Sequence, residues 1–110
     1  MRYILLALSA FVATPVAADV TLTIGLGPAD QLSTETYTCD NGAAVPVRYI
    51  NTGANALALL PVGGEDRIFV NVVAGSGSRY VSGGHVWWVK GDGAMLEDTL
   101  EETTSNCTRD

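Results

Sequence analysis

The chain of 110 residues is poor in basic residues and contains very little histidine. It has six basic residues against twelve acidic ones, which gives a formal net charge of −6 at pH 7. Lysine occurs once, as Lys90, and histidine once, as His85. Binding of nucleic acid or of an anionic membrane surface depends on clustered lysine and arginine, so the composition argues against both classes of partner, and we expect neither nucleic acid nor a membrane anchor. The acidic balance favours a cationic partner that is attracted over a long range.

The scarcity of catalytic residue types limits the enzyme classes that fit. His85 has no Gly-x-Ser-x-Gly motif and no cysteine arrangement beside it, and adjacent carboxylates such as Glu97-Asp98 are typical of a solvated face. The glycine-rich residues 75–78 are not followed by a predicted helix, so they are not expected to bind phosphate. The cysteines lack the spacing of a metal site. We therefore expect no enzyme activity, no metal and no cofactor, and a small exported enzyme remains the weaker alternative.

The beginning of the chain has the composition of a secretory signal. Arg2 precedes an apolar run, and small residues ending at Ala18 form a cleavage site. The run is shorter than the roughly 20 residues that a membrane-spanning helix needs. We expect residues 1–18 to be a signal peptide and residues 19–110 to form one periplasmic or secreted domain. Because Asp19 rather than a cysteine follows the cleavage site, no lipid anchor is expected.

The two cysteines of the mature domain, Cys39 and Cys107, predict one disulfide bond. A domain of this size buries a limited core and is marginally stable without further support. Exported proteins meet an oxidising compartment, in which paired cysteines are normally joined. We therefore expect a Cys39–Cys107 disulfide. The sequence does not decide the oligomeric state, and a homodimer stays open.

Short runs with a period of two, separated by turn residues, predict an all-β domain. Gly83-Gly84 is expected to form a bulge or a tight bend, and residues 25–32 a flexible arm. No window has the period of 3.6 that is typical of a helix. The spacing indicates a small sandwich or barrel, and periodicity does not choose between the two. The clearest strand-like runs are residues 20–24, 33–39, 44–51, 56–62 and 67–73.

Ser76 and Lys90 are the residues whose chemistry best suits contact with another protein. Glycines on both sides of Ser76 predict an exposed hydroxyl on a turn, and Lys90 ends a strand just before Gly91. If the strands between them pair as a hairpin, the two side chains emerge side by side. A hydroxyl and an ammonium group together suit carboxylates in the cleft of another protein. The alternative is that Lys90 only keeps its charged end in water.

The same two segments resemble the signature motifs of a known family, the bacterial inhibitors of c-type lysozyme abbreviated MliC and PliC. The family motifs read Ser-Gly-x-x-Tyr and Trp-x-Lys-Gly. The similarity covers residues 35–107, with Ser78 and His85 as departures from the usual residues. The matching segments are Ser76-Gly77-Ser78-Arg79-Tyr80 and Trp88-Val89-Lys90-Gly91-Asp92.

The resemblance implies an antiparallel β-barrel of about eight strands and a soluble periplasmic inhibitor that is not an enzyme. The inhibitory residues carry over to Ser76 and Lys90, with Arg79, Tyr80 and Trp88 as further lysozyme-binding residues of the motifs. C-type lysozymes cleave glycan with two carboxylates in a cleft, which the lysine and the serine would block. Removal of the signal peptide would leave five basic residues and a net charge of −7, which speeds encounter with cationic lysozyme. A binding module for a cationic peptide or a cell-wall-derived ligand stays open.

Overall fold

Eight antiparallel strands, each paired with the next in sequence, close into a barrel in the computed structural model, which describes residues 21–110. The barrel confirms the fold that the family resemblance implies, and it decides between the sandwich and the barrel that periodicity left open. The expected signal peptide lies outside the described residues. The strands are β1 (Gln31–Cys39), β2 (Ala44–Thr52), β3 (Asn55–Val62), β4 (Glu65–Val72), β5 (Ser78–Ser82), β6 (His85–Lys90), β7 (Gly93–Asp98) and β8 (Thr103–Arg109).

The connections between strands alternate between the two ends of the barrel, because every neighbouring pair is antiparallel. One end carries the β2–β3 turn, the β4–β5 loop of residues 73–77, and the β6–β7 turn at Gly91 and Asp92. We call it the motif end. The opposite end carries the other four turns, including Gly83 and Gly84, which form the tight β5–β6 turn rather than a bulge. Within the described chain, no helix is long and apolar enough to cross a membrane.

Alternate side chains of the strands point into the barrel and form its core. Val47, Phe69 and Trp87 come from three different strands and are completely buried. The Tyr49 hydroxyl accepts a hydrogen bond from Trp87 Nε1 at 2.9 Å and shares another, also 2.9 Å, with the Tyr37 hydroxyl. Burial, and then the hydrogen bond with Tyr37, raise the pKa of Tyr49 well above its ordinary value of 10.0. Burial of each large apolar side chain stabilises the fold by about 1.5–3 kcal/mol.

The expected Cys39–Cys107 disulfide is present and reinforces the seam at which the barrel closes. The two cysteines face each other on β1 and β8, where the pairing extends only from Tyr37 with Arg109 to the cysteines themselves. They lie 68 positions apart in sequence. Closing a loop of that length restricts the unfolded chain and stabilises the fold by about 4 kcal/mol in the entropy model.

The predicted strand over residues 20–24 is wrong for the residues that the structure describes. Residues 21–27 have no regular structure, and β1 begins only at Gln31, which also shortens the expected arm. Leu22, Ile24 and Leu26 instead line a groove on the outer wall of the barrel, formed with apolar residues of β1, β2 and β3. The alternation in this segment therefore reflects packing against a wall, not pairing in a sheet.

The outer wall contains a continuous row of apolar side chains, which explains why the N-terminal segment lies there. Each member of the row is paired with the next across successive strands, from β1 to β6. Leu32 and Ile50 of this row line the groove that holds the N-terminal segment, Val70 is 52% exposed, and Val86 at the β6 end of the row is buried. The row consists of Leu32, Ile50, Leu57, Val70, Val81 and Val86.

Candidate functional site

The two motifs meet at the motif end of the barrel through the β5–β6 hairpin. In this hairpin Arg79 pairs with Trp88, and Ser78 pairs with Val89. The residue just before β5 therefore lies beside the residue that ends β6. The structure brings Ser76 and Lys90 to the same place, although they are fourteen positions apart in the chain.

The Trp88 ring joins Ser76 to Lys90. Trp88 Nε1 donates a hydrogen bond of 2.9 Å to the main-chain oxygen of Ser76. The Lys90 Nζ lies 4.2 Å from the centroid of the same ring, and the Arg79 guanidinium carbon lies 5.9 Å from it. Cation–π contacts at exposed sites contribute about 0.5–1 kcal/mol each. One indole therefore holds the serine-bearing loop and restricts the lysine side chain.

Gly77 lets the β4–β5 loop approach β6 more closely than any other residue type allows. Its φ is +66°, in the left-handed region that favours glycine. A Cβ at this position would lie 2.2 Å from the main-chain oxygen of Val89 and 2.8 Å from Cγ of Lys90. The second residue of the Ser-Gly-x-x-Tyr motif is thus explained by a steric requirement. The close approach fixes Ser76 relative to Lys90.

The Ser76 and Lys90 side chains are both exposed, and the lysine has no carboxylate partner in the described part of the chain. Within residues 21–110 Arg109 forms an ion pair with Asp92, and His85 Nδ1 lies 3.9 Å from a carboxylate oxygen of Asp98. Asp92, only two positions from Lys90, is therefore taken by Arg109. The Lys90 ammonium is free to pair with a carboxylate from another molecule.

Tyr80 lies inside the barrel, unlike the other predicted site residues. It is 7% exposed, and its ring centroid is 5.7 Å from that of Tyr49. Because side chains alternate along β5, Arg79 faces outward when Tyr80 faces inward. The structure therefore gives Tyr80 a supporting role in the motif, while Arg79 and Trp88 remain on the outer wall.

A groove beside Lys90 contains residues that the sequence alone does not identify. It has a volume of about 290 Å³, and Gly93 is among the residues that line it. Its walls include Met95 and Asn106, which follow Trp88 in a row of paired residues across β6, β7 and β8. The register of the consecutive β6–β7 and β7–β8 pairings brings β8 to this place, and no local sequence signal indicates that register.

The chain matches the family model described as membrane-bound lysozyme-inhibitor of c-type lysozyme over residues 37–105. This chain belongs to that family. The matched range contains both motifs and agrees with the range of the resemblance, residues 35–107. The relatives of this chain that carry a name are inhibitors of an enzyme and are not enzymes themselves.

Two relatives carry the name membrane-bound lysozyme inhibitor of C-type lysozyme. The one from Pseudomonas aeruginosa is 43% identical over 61 residues, which are 54% of this chain and 48% of the relative. The one from Cupriavidus necator is 37% identical over 65 residues, which are 59% of this chain and 52% of the relative. The matches therefore span about half the length of these relatives.

Two solved structures resemble this barrel over nearly their whole length. Pseudomonas aeruginosa MliC, in complex with hen egg white lysozyme, has a TM-score of 0.71 and 30% identity, covering 86% of this chain and 98% of that chain. PliC-St, a periplasmic lysozyme inhibitor of C-type lysozyme from Salmonella typhimurium, has a TM-score of 0.64 and 27% identity, covering 73% of this chain and 99% of that chain.

Proposed function

We propose that this protein inhibits c-type lysozyme by inserting the β4–β5 loop and Lys90 into the active-site cleft. The single observation that carries the proposal is the junction at Trp88, which holds Ser76 and Lys90 together on an exposed end of the barrel. Membership in the lysozyme-inhibitor family supports it, as does the solved complex of a family member with hen egg white lysozyme.

The proposed chemistry is occlusion of two catalytic carboxylates. C-type lysozymes hydrolyse glycan with a carboxylic acid and a carboxylate that flank the bond to be cleaved. The Lys90 ammonium, which has no internal carboxylate partner among the described residues, pairs with one of them, and the Ser76 hydroxyl donates a hydrogen bond to the other. Neither group can be cleaved or transferred. The bound loop therefore blocks the cleft without being consumed.

Preorganisation explains how one loop can bind tightly. A free lysine side chain loses up to about 2 kcal/mol of rotamer entropy when it is fixed. Here the Trp88 ring restricts Lys90, and Gly77 fixes the loop, before any partner arrives. Less entropy is then lost on binding. The net charge of −6 attracts a cationic enzyme and orients the encounter.

The test is an assay of cell-wall lysis with the purified mature protein. We expect stoichiometric inhibition of a c-type lysozyme and no inhibition of a g-type lysozyme at the same concentration. A basic protein without a glycan-cleaving cleft serves as the control for charge alone. Equal binding to that control, with no inhibition of lysis, would favour the alternative of a module for cationic peptides and would refute the inhibitor proposal.

A further inference from the structure

The β4–β5 loop carries a second side chain that is fully exposed to water, and this one is apolar. Val73 is 99% exposed, the highest value among the exposed large hydrophobic residues of the described chain. The loop is not frayed, because the Trp88 hydrogen bond and the Gly77 contact fix it against β6. Val73 therefore contributes nothing to the core, yet a fixed loop holds it out from the barrel.

Val73 lies close enough to Ser76 to be part of any interface centred there. Three positions separate the two residues, so their Cα atoms are at most about 11 Å apart. A standard interface covers about 800 Å² on each partner, which equals a disc of roughly 16 Å radius. An interface of that size centred on Ser76 extends farther than the distance from Ser76 to Val73.

We propose that Val73 is an apolar contact residue that packs against the apolar wall of the lysozyme cleft, beside the catalytic acid. This inference rests on the proposed function. In lysozyme the catalytic acid lies in a hydrophobic pocket, which keeps it protonated. A carboxyl group and an apolar wall are thus adjacent in the cleft. The exposed Ser76 hydroxyl suits the protonated acid and the exposed Val73 side chain suits the apolar wall beside it, and both lie on the β4–β5 loop. Lys90, at the same end of the barrel, is left to pair with the ionised carboxylate.

Val73 also adds selectivity to the charge pair. Charged residues speed the encounter and suppress wrong partners, whereas a buried apolar contact mainly slows dissociation. A cleft that has carboxylates but no apolar wall would bind Lys90 without covering Val73. We therefore expect Val73 to separate c-type lysozymes from other enzymes that have paired carboxylates.

The expected effect of Val73→Ala is roughly a tenfold loss of affinity, because two buried carbons are removed from the interface. The loss should appear as faster dissociation, with the association rate unchanged. Val73→Thr has nearly the same shape but replaces a methyl group with a hydroxyl, and we expect a loss of similar size. Both variants should bind with a less negative heat-capacity change than the parent.

The experiment is calorimetric and kinetic titration of the full mature protein with a c-type lysozyme. The matched control is Leu100→Ala, because Leu100 is 84% exposed at the opposite end of the barrel. Weaker binding of both Val73 variants, with Leu100→Ala unchanged, supports the proposal. Parental affinity of Val73→Ala or of Val73→Thr overturns it, and so does an equal loss in Leu100→Ala. A parent protein that fails to bind lysozyme overturns the proposed function itself, so the two failures are distinguishable.

Discussion

Gly77→Ala should misplace the inhibitory loop, although it adds only one methyl group. The new Cβ would lie 2.2 Å from the Val89 oxygen, whereas ordinary contacts begin near 3.4 Å, so the loop or β6 must move by more than 1 Å. A residue with a side chain in the left-handed region costs about 1–2 kcal/mol. For a domain of this size that cost lowers Tm by roughly 4–16 °C. Because displacements of about 1 Å at a functional site cost up to a hundredfold, we expect inhibition at least tenfold weaker.

Gly75→Ala is the matched control, since it lies in the same loop, has no positive φ, and would place its added methyl group with no atom within 4 Å. We expect it to unfold and inhibit like the parent. Thermal unfolding followed by circular dichroism and titration of lysozyme activity provide the two readouts. If Gly77→Ala matches Gly75→Ala in both, the close approach does not position Ser76 and the reasoning is wrong.

Three further outcomes are expected. Raising the ionic strength from about 0.01 M to 0.15 M shortens the screening length from about 30 Å to 8 Å. The association rate with lysozyme, measured by stopped flow, should then fall several-fold while the dissociation rate changes little. An unchanged association rate contradicts electrostatic attraction. The raised pKa of Tyr49 means that its phenol stays protonated in the fold after it ionises in the unfolded chain. The contribution of Tyr49 to the free energy of unfolding is therefore fully present below about pH 10 and is lost as the pH rises further, so denaturant titrations should show stability falling above about pH 10; an unchanged free energy of unfolding between about pH 10 and pH 11.5 would contradict this assignment. Replacing both Cys39 and Cys107 by serine should lower the free energy of unfolding by about 2–5 kcal/mol, measured by the same titrations. A loss below about 1 kcal/mol would show that β1 and β8 stay paired without the disulfide.

The sequence predicts most of the strands because side chains facing the barrel interior alternate with outward ones. The run around Val47 becomes a strand for this reason. In β4 the alternating residues Ile68 and Val70 face outward and Phe69 faces the core, so the period predicts the strand without showing which face is inside. The same rule fails at Leu22 and Ile24, whose alternation places them against the outer wall. Periodicity reports that one face is covered, but it does not distinguish a sheet partner from a barrel wall.

The site is predictable only in part, because its local and its long-range components have different signals. Glycines around Ser76 and the turn after Lys90 indicate exposed side chains, and the hairpin between them is short. Tyr80 is different. Its inward orientation depends on which of the two alternating sets of β5 side chains faces the core, and no local pattern shows this. The groove at Asn106 depends on the register in which β8 pairs with β7 after a turn, and no pattern near Lys90 indicates that register.

Inhibition of a c-type lysozyme by Lys90→Ala tests the central claim most directly. If the ammonium pairs with a catalytic carboxylate, removing it leaves that carboxylate buried without a partner, which typically costs about 2–5 kcal/mol, or roughly 30- to 4,000-fold in affinity. Arg48→Ala is the matched control, because it removes the same charge from an exposed position on the barrel wall. We predict that Lys90→Ala keeps the parental Tm and loses most inhibition, while Arg48→Ala inhibits normally. Parental inhibition by Lys90→Ala, or an equal loss in both variants, would contradict the account.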